Sequence, residues 1–113
     1  MHKVVLQLTS NDHAVQKSAL SHIHNIQKAF EHIVIELVTH GDGIELLMKE
    51  SALVERLRIM HETGVQLLVC QNALDAKNLS DSDVLPFSTI IPSAVAHLIV
   101  RQSEGWSYLR ETF

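Results

Sequence analysis

The sequence predicts an α/β fold: one domain over residues 1–113, a three-layer sandwich with a mostly parallel five-stranded sheet and helices on both faces. Three observations predict it. Short Val/Ile/Leu-rich runs alternate with stretches of helical periodicity in a βαβαβαβαβ order. Strands separated by helices pair in parallel, because right-handed crossovers lay those helices on the sheet. The second run, His32-Ile33-Val34-Ile35-Glu36-Leu37-Val38, is nearly continuous in apolar residues, as in a strand covered on both sides. Finally, 46% of residues are hydrophobic and 19% charged, a balance that excludes a disordered chain and supplies a core without disulfide or metal staples.

Residues 3–8 form the first expected strand, followed by Thr9-Ser10-Asn11-Asp12, all helix-capping types. Val15, Ala19, Ile23, Ile26 and Phe30 then recur at helical steps, with Gln16, Lys17, Ser21 and Gln27 off the stripe. After the strand at residues 32–38, Thr39-His40-Gly41-Asp42-Gly43 reads as a turn. Leu46 and Leu47 open a helical region that Leu53, Leu57 and Met60 continue from about Ser51, and Gly64 sits where a left-handed C-cap needs no Cβ. Residues 65–70 are the third strand and 72–78 a short helix, with a further capped turn at 80–83. The fourth strand spans 87–91. Pro92 suits a first helical turn, Val95, Leu98 and Ile99 give that helix its buried face, and Gly105 ends it. Trp106, Tyr108 and Arg110 alternate with Ser107 and Leu109 in a short final strand.

In sheets of this kind ligands bind outside the carboxyl ends of the strands. Those ends carry residues 9–12, 40–43, 70–72 and 92–93, which puts the single cysteine, Cys70, on the rim. A thiol at a strand-to-helix junction lies near backbone N–H groups and the positive end of a helix dipole, a setting that favours thiolate. Two readings stay open: a small core thiol, or a nucleophile able to hold a sulfane sulfur as a persulfide. The loops with Ser10 and His40 are placed to supply donors to such a sulfur.

Other chemistries find less support. The formal charge is −4, from 9 basic and 13 acidic residues, with no Lys/Arg cluster, so neither nucleic acid nor an anionic membrane surface is an expected partner. The apolar run at the start is too short for a signal peptide and nothing approaches a membrane span; with one cysteine, a cytoplasmic protein is expected. Among eight histidines, His22 and His24 fall about 200° apart on a helix and no H-x-x-x-H pair occurs, so no metal site is expected. Gly41-Asp42-Gly43 is too short for a phosphate loop, and dinucleotide and Walker motifs are missing, so no cofactor is expected. A response-regulator receiver needs an aspartate at the end of strand three, where Cys70 stands. Glu36 inside an apolar strand needs an edge position, a subunit interface or a partner, and the interface is the favoured reading. His97, on one helix face with Ser93, reads as packing against a neighbour. Trp106 and Tyr108 read as packing or oligomer anchors.

Leu67-Leu68-Val69-Cys70-Gln71-Asn72-Ala73-Leu74, Ile90-Ile91-Pro92-Ser93-Ala94-Val95-Ala96-His97-Leu98 and Gln102-Ser103-Glu104-Gly105-Trp106-Ser107-Tyr108-Leu109 resemble the DsrE/DsrF-like (YchN-like) family of small α/β proteins. The early V-V-L strand and the His-Gly turn after strand two extend the likeness to nearly the whole chain. The resemblance implies the same fold and a homo-oligomer, a trimer or hexamer. Some members, in sulfur oxidation and in the sulfur relay for tRNA thiolation, carry a persulfide on a cysteine and hand it to a partner. It therefore implies Cys70 as the sulfur-bearing residue and a donor or acceptor protein as partner, while the strand ends around it offer Ser10, Asn11, His40, Gly41, Asn72 and Ser93 as the binding rim. A non-catalytic ligand-binding or structural module is the alternative.

Overall fold

The computed structural model describes residues 1–112. Five strands, β1 (His2–Leu8), β2 (Ile33–Thr39), β3 (Gln66–Cys70), β4 (Thr89–Ile91) and β5 (Ser107–Glu111), form one sheet in the order β4-β3-β2-β1-β5. Every strand pair is parallel. The helices are α1 (His13–Ala29), α2 (Val54–Glu62), α3 (Gln71–Ala76) and α4 (Ala94–Ser103), with 3-10 turns at Gly41–Leu47 and Asp81–Asp83. No helix of the described residues is long and apolar enough to cross a membrane.

The strand order decides which face each helix takes. From β1 to β4 the chain steps sideways in one direction, so right-handed crossovers put α1 and α2 on one face. The return from β4 to β5 crosses the whole sheet and carries α4 to the other. Polar contacts agree. His22 of α1 bonds Glu111 at 2.8 Å, and Glu111 pairs with Leu8. His97 and Arg101 of α4 bond Glu36, which pairs with Val5. Leu8 and Val5 are an odd number of residues apart and so face opposite ways. Val4, Leu6, Leu8, Leu37, Leu67 and Val69 are buried on the α1/α2 side, where Ala19, Leu20, Ile23, Leu57 and Met60 are the buried helical residues.

Asp12 caps α1, its carboxylate accepting from the Ala14 N–H at 2.8 Å. The helix stops at Ala29, so Phe30 lies beyond the stripe it was expected to extend and packs instead at a tilt against His2, centroids 4.6 Å apart. Leu46 and Leu47 belong to a 3-10 turn, and α2 starts only at Val54, after the Ser51 hydroxyl accepts the Leu53 N–H. Strand four is shorter than residues 87–91, because the Ser88 N–H turns back to the Leu85 carbonyl and only Thr89–Ile91 joins the ladder. Pro92 precedes α4, which Ser93 caps.

Two expectations are corrected. Glu36 occupies neither an edge nor a subunit boundary: β2 is the central strand. Its carboxylate, in a residue 5% exposed, accepts from His97 Nε2 at 2.7 Å and from Arg101 Nε and Nη2 at 3.0 and 2.8 Å. The buried face of α4 likewise differs. Of Val95, Leu98 and Ile99, only Leu98 is buried, beside Ala94, while Val95 and Ile99 are 58% and 65% exposed. Positions 94, 97, 98 and 101 make one helical stripe, and the bonds from His97 and Arg101 to Glu36 turn that stripe to the sheet.

Candidate functional site

The β3 strand ends at Cys70 and α3 begins at the next residue. Cys70 therefore stands at the N-cap of α3, yet its side chain makes no hydrogen bond to that helix. The sulfur faces a different helix. Cys70 pairs with Ile91 on β4, and two residues further on Ser93 caps α4. This brings the first N–H of α4, from Ala94, to 3.4 Å from Cys70 Sγ. Negative charge on the sulfur, as thiolate or persulfide, thus meets a backbone donor and the positive end of a ten-residue helix. The residue itself is 5% exposed.

His40 follows β2, and its N–H continues the ladder to the Leu8 carbonyl at 3.1 Å. Because Thr39 pairs with Val69, the register sets His40 beside Cys70 on the same face. The imidazole is half-buried, and burial pushes its pKa below the ordinary histidine value. Its Nε2 lies 2.8 Å from Nε2 of Gln7. Gly41 then takes φ +54°, in the left-handed region that glycine enters without strain. Asp42 accepts from Lys77 Nζ at 2.6 Å, a tie from the turn after β2 to the end of α3; this hydrogen bond holds the Lys77 pKa above its usual value.

Cys70, His40, Gly41, Asn72 and Ser93 all line one open groove of about 490 Å³, with Asp42, Lys77 and the first turn of α4 on its walls. Ser10 and Asn11 are not among its lining residues. The Ser10 hydroxyl accepts the Asp12 N–H and its carbonyl accepts from Gln16 Nε2, so it shapes the entry to α1. Asn11 donates to Glu45 Oε2 and pins that loop to the 3-10 turn. Both sit at a strand end, but the Ser10 side chain is spent on its own loop and that of Asn11 on the 3-10 turn. Gln7, Asp42, Lys77 and Ala94 were not singled out in the sequence. Gln7 carried a signal, as a polar residue within the apolar β1 run; the backbone donor of Ala94 carried none. Among the described residues no group of three His, Cys, Asp or Glu side chains is arranged to hold a metal ion.

The sequence profile of the DsrE/DsrF-like family matches residues 2–110. Among solved structures, MTH1491 from Methanobacterium thermoautotrophicum, a protein of unknown function, superposes with a TM-score of 0.95 at 27% identity, covering 97% of this chain and 99% of that one. BT1422, a conserved protein of unknown function from Bacteroides thetaiotaomicron, gives a TM-score of 0.76 at 15% identity, covering 96% and 93%. The ychN protein from E. coli gives 0.77 at 13% identity, covering 97% and 99%. The last two likenesses are of fold alone. No curated protein matches the sequence.

Proposed function

The chain belongs to the DsrE/DsrF-like family, and from that premise we propose that it carries sulfane sulfur as a persulfide on Cys70. The Cys70 thiolate attacks the outer sulfur of a donor persulfide R–S–SH. A bond forms between Sγ and that sulfur, the donor's own S–S bond breaks, and the donor leaves as a thiolate. A thiolate on the acceptor later attacks the outer sulfur of the Cys70 persulfide and releases the Cys70 thiolate. Sulfane sulfur moves twice with no net oxidant. The observation that carries the reading is the Ala94 N–H on Cys70 Sγ at the groove floor, a donor suited to an anionic sulfur.

The test is intact-mass spectrometry after incubation with a small-molecule persulfide. A Cys70-dependent gain of about 32 Da, absent in Cys70→Ser, is expected. A wild-type protein that stays unmodified while its thiol reacts with a neutral alkylating reagent would sink the proposal. The 5% exposure of Cys70 favours one second reading, a ligand-binding groove in which the thiol is only wall. That reading expects a thiol resistant to alkylation until denaturation, and ligand-dependent thermal stabilisation that survives Cys70→Ser.

We further propose that it works in the reducing cytoplasm, with a sulfur donor or acceptor protein, as a homotrimer or hexamer. Support for self-association comes from the outer face of α4, where Val95, Ile99 and Val100 are 58%, 65% and 50% exposed, an apolar surface of the kind that marks contacts between chains. In sedimentation, Ile99→Asp is expected to convert the wild-type oligomer to smaller species without unfolding. A wild-type protein that sediments as a monomer would overturn the expectation.

A further inference from the structure

On the α4 side of the sheet a row of polar side chains crosses three strands toward the groove. Tyr108, on the edge strand β5, donates its O–H to Gln7 Oε1 on β1. Gln7 Nε2 in turn lies 2.8 Å from His40 Nε2, just past the end of β2. The register allows both contacts. Val5 pairs with Tyr108 and Gln7 with Val38, so each contact joins diagonal neighbours, within reach of long side chains. One strand further along, Cys70 follows Val69, the partner of Thr39.

The orientation of the amide bears on where the ring carries its proton. With Oε1 occupied by the tyrosine hydroxyl, the Gln7 nitrogen facing the imidazole is a donor, and His40 Nε2 accepts. A neutral ring in this arrangement carries its proton on Nδ1, the less favoured tautomer of free histidine, and Nδ1–H is the donor that remains on a residue lining the groove. We propose that Gln7 and Tyr108 are positioning residues that hold His40 as the neutral Nδ1–H tautomer, making it a hydrogen-bond donor to anionic sulfur on Cys70. The role in sulfur binding rests on the carrier reading; the tautomer does not.

The surroundings suit a neutral ring. The charged groups lining the groove are Asp42, in the turn after His40, and Lys77, just past α3, which are tied to each other. From α4 the groove receives Ser93, Ala94 and Val95, while His97 and Arg101 are bound to Glu36. Cys70 is the contribution of β3. Burial also lowers the pKa of His40, so the neutral form persists to more acidic pH than in an exposed imidazole.

Nitrogen-15 spectra of the full chain, with histidine labelled, test the inference. In the wild type above the His40 transition, the His40 shifts are expected to report a protonated Nδ1 and a bare Nε2. Gln7→Leu, and independently Tyr108→Phe at the exposed end of the row, are expected to move the ring toward Nε2–H. Each should slow sulfur uptake by Cys70 roughly tenfold, the scale of losing a group that orients a reactive one, at unchanged alkylation by a neutral reagent. A wild-type ring protonated on Nε2, or a wild-type tautomer kept in both variants, would overturn the inference. A tautomer that moves with no change in uptake would overturn its role in sulfur binding. If wild-type Cys70 takes up no sulfur, the carrier reading fails by itself and the spectra still decide the tautomer.

Discussion

Arg101→Leu is expected to remove about 3–5 kcal/mol of stability, the cost of leaving one half of a buried ion pair behind, and to lower Tm by on the order of 15 °C. The guanidinium grips both oxygens of Glu36, at 3.0 and 2.8 Å, from α4 on that face of the sheet. Without it, His97 Nε2 still holds one oxygen, but the other is left on the central strand with no partner. The reverse change should be milder. In Glu36→Leu, Arg101 keeps Glu104 at 2.9 Å and the Trp106 ring, 4.5 Å from its centroid, and lies far enough out to reach water. Replacing both by leucine should recover most of the loss, since two apolar groups of matching shape need no partners. Urea unfolding of the three variants measures this, and a loss under about 1 kcal/mol in Arg101→Leu would show the pair to be incidental.

The same pair sets an acid limit. Burial pushes the Glu36 carboxyl up, but the hydrogen bonds and charges of Arg101 and His97 outweigh it and hold the pKa below the carboxylate range. A folded-state pKa below the unfolded one means the contribution is complete above about pH 4.3. It is lost as pH falls through the lower folded value. The stability gap between wild type and Arg101→Leu should therefore narrow in acid, and a gap that widened would contradict this account.

Gly43→Ala is the second large effect, expected at about 3 kcal/mol from forced backbone movement. Its conformation is not the reason; space is. A Cβ there would sit 2.2 Å from the Leu8 carbonyl oxygen, 2.8 Å from its carbon and 3.0 Å from Thr9 Cα. All three are backbone atoms of the β1 end, and the Leu8 carbonyl is already engaged by the His40 N–H. Relief would have to move the 3-10 turn off β1, and with it His40, Gly41 and Asp42 at the groove mouth. Chemical denaturation should show the loss, and the His40 and Cys70 amide shifts should move with it. A variant as stable as wild type with unshifted amides would refute the close approach.

Local patterns were enough for the number of strands and their succession along the chain, because an apolar run with β-rich composition needs no knowledge of its neighbours to be recognised, and parallel pairing then follows from chain handedness. They were also enough to put Cys70, His40, Gly41, Asn72 and Ser93 at strand ends, where one groove gathers them. Ser10 and Asn11 satisfied the same rule and still fell outside: the Ser10 hydroxyl bonds the backbone of its own loop, and the Asn11 amide is taken by Glu45 of the 3-10 turn.

What the sequence by itself determined was periodicity; what only the tertiary structure decided was phase. Val95 and Ile99 offer more apolar surface than Ala94 and Leu98, so helical spacing alone favours burying the wrong side of α4. A carboxylate on the central strand settles the matter. Glu36, buried and charged, has to be met by His97 and Arg101, because leaving it unmatched costs more than exposing two aliphatic side chains. The same long-range register brings Gln7 and Tyr108, 101 residues apart, into contact on the sheet. Sequence spacing carries no record of such a contact, since it depends on which strands become neighbours.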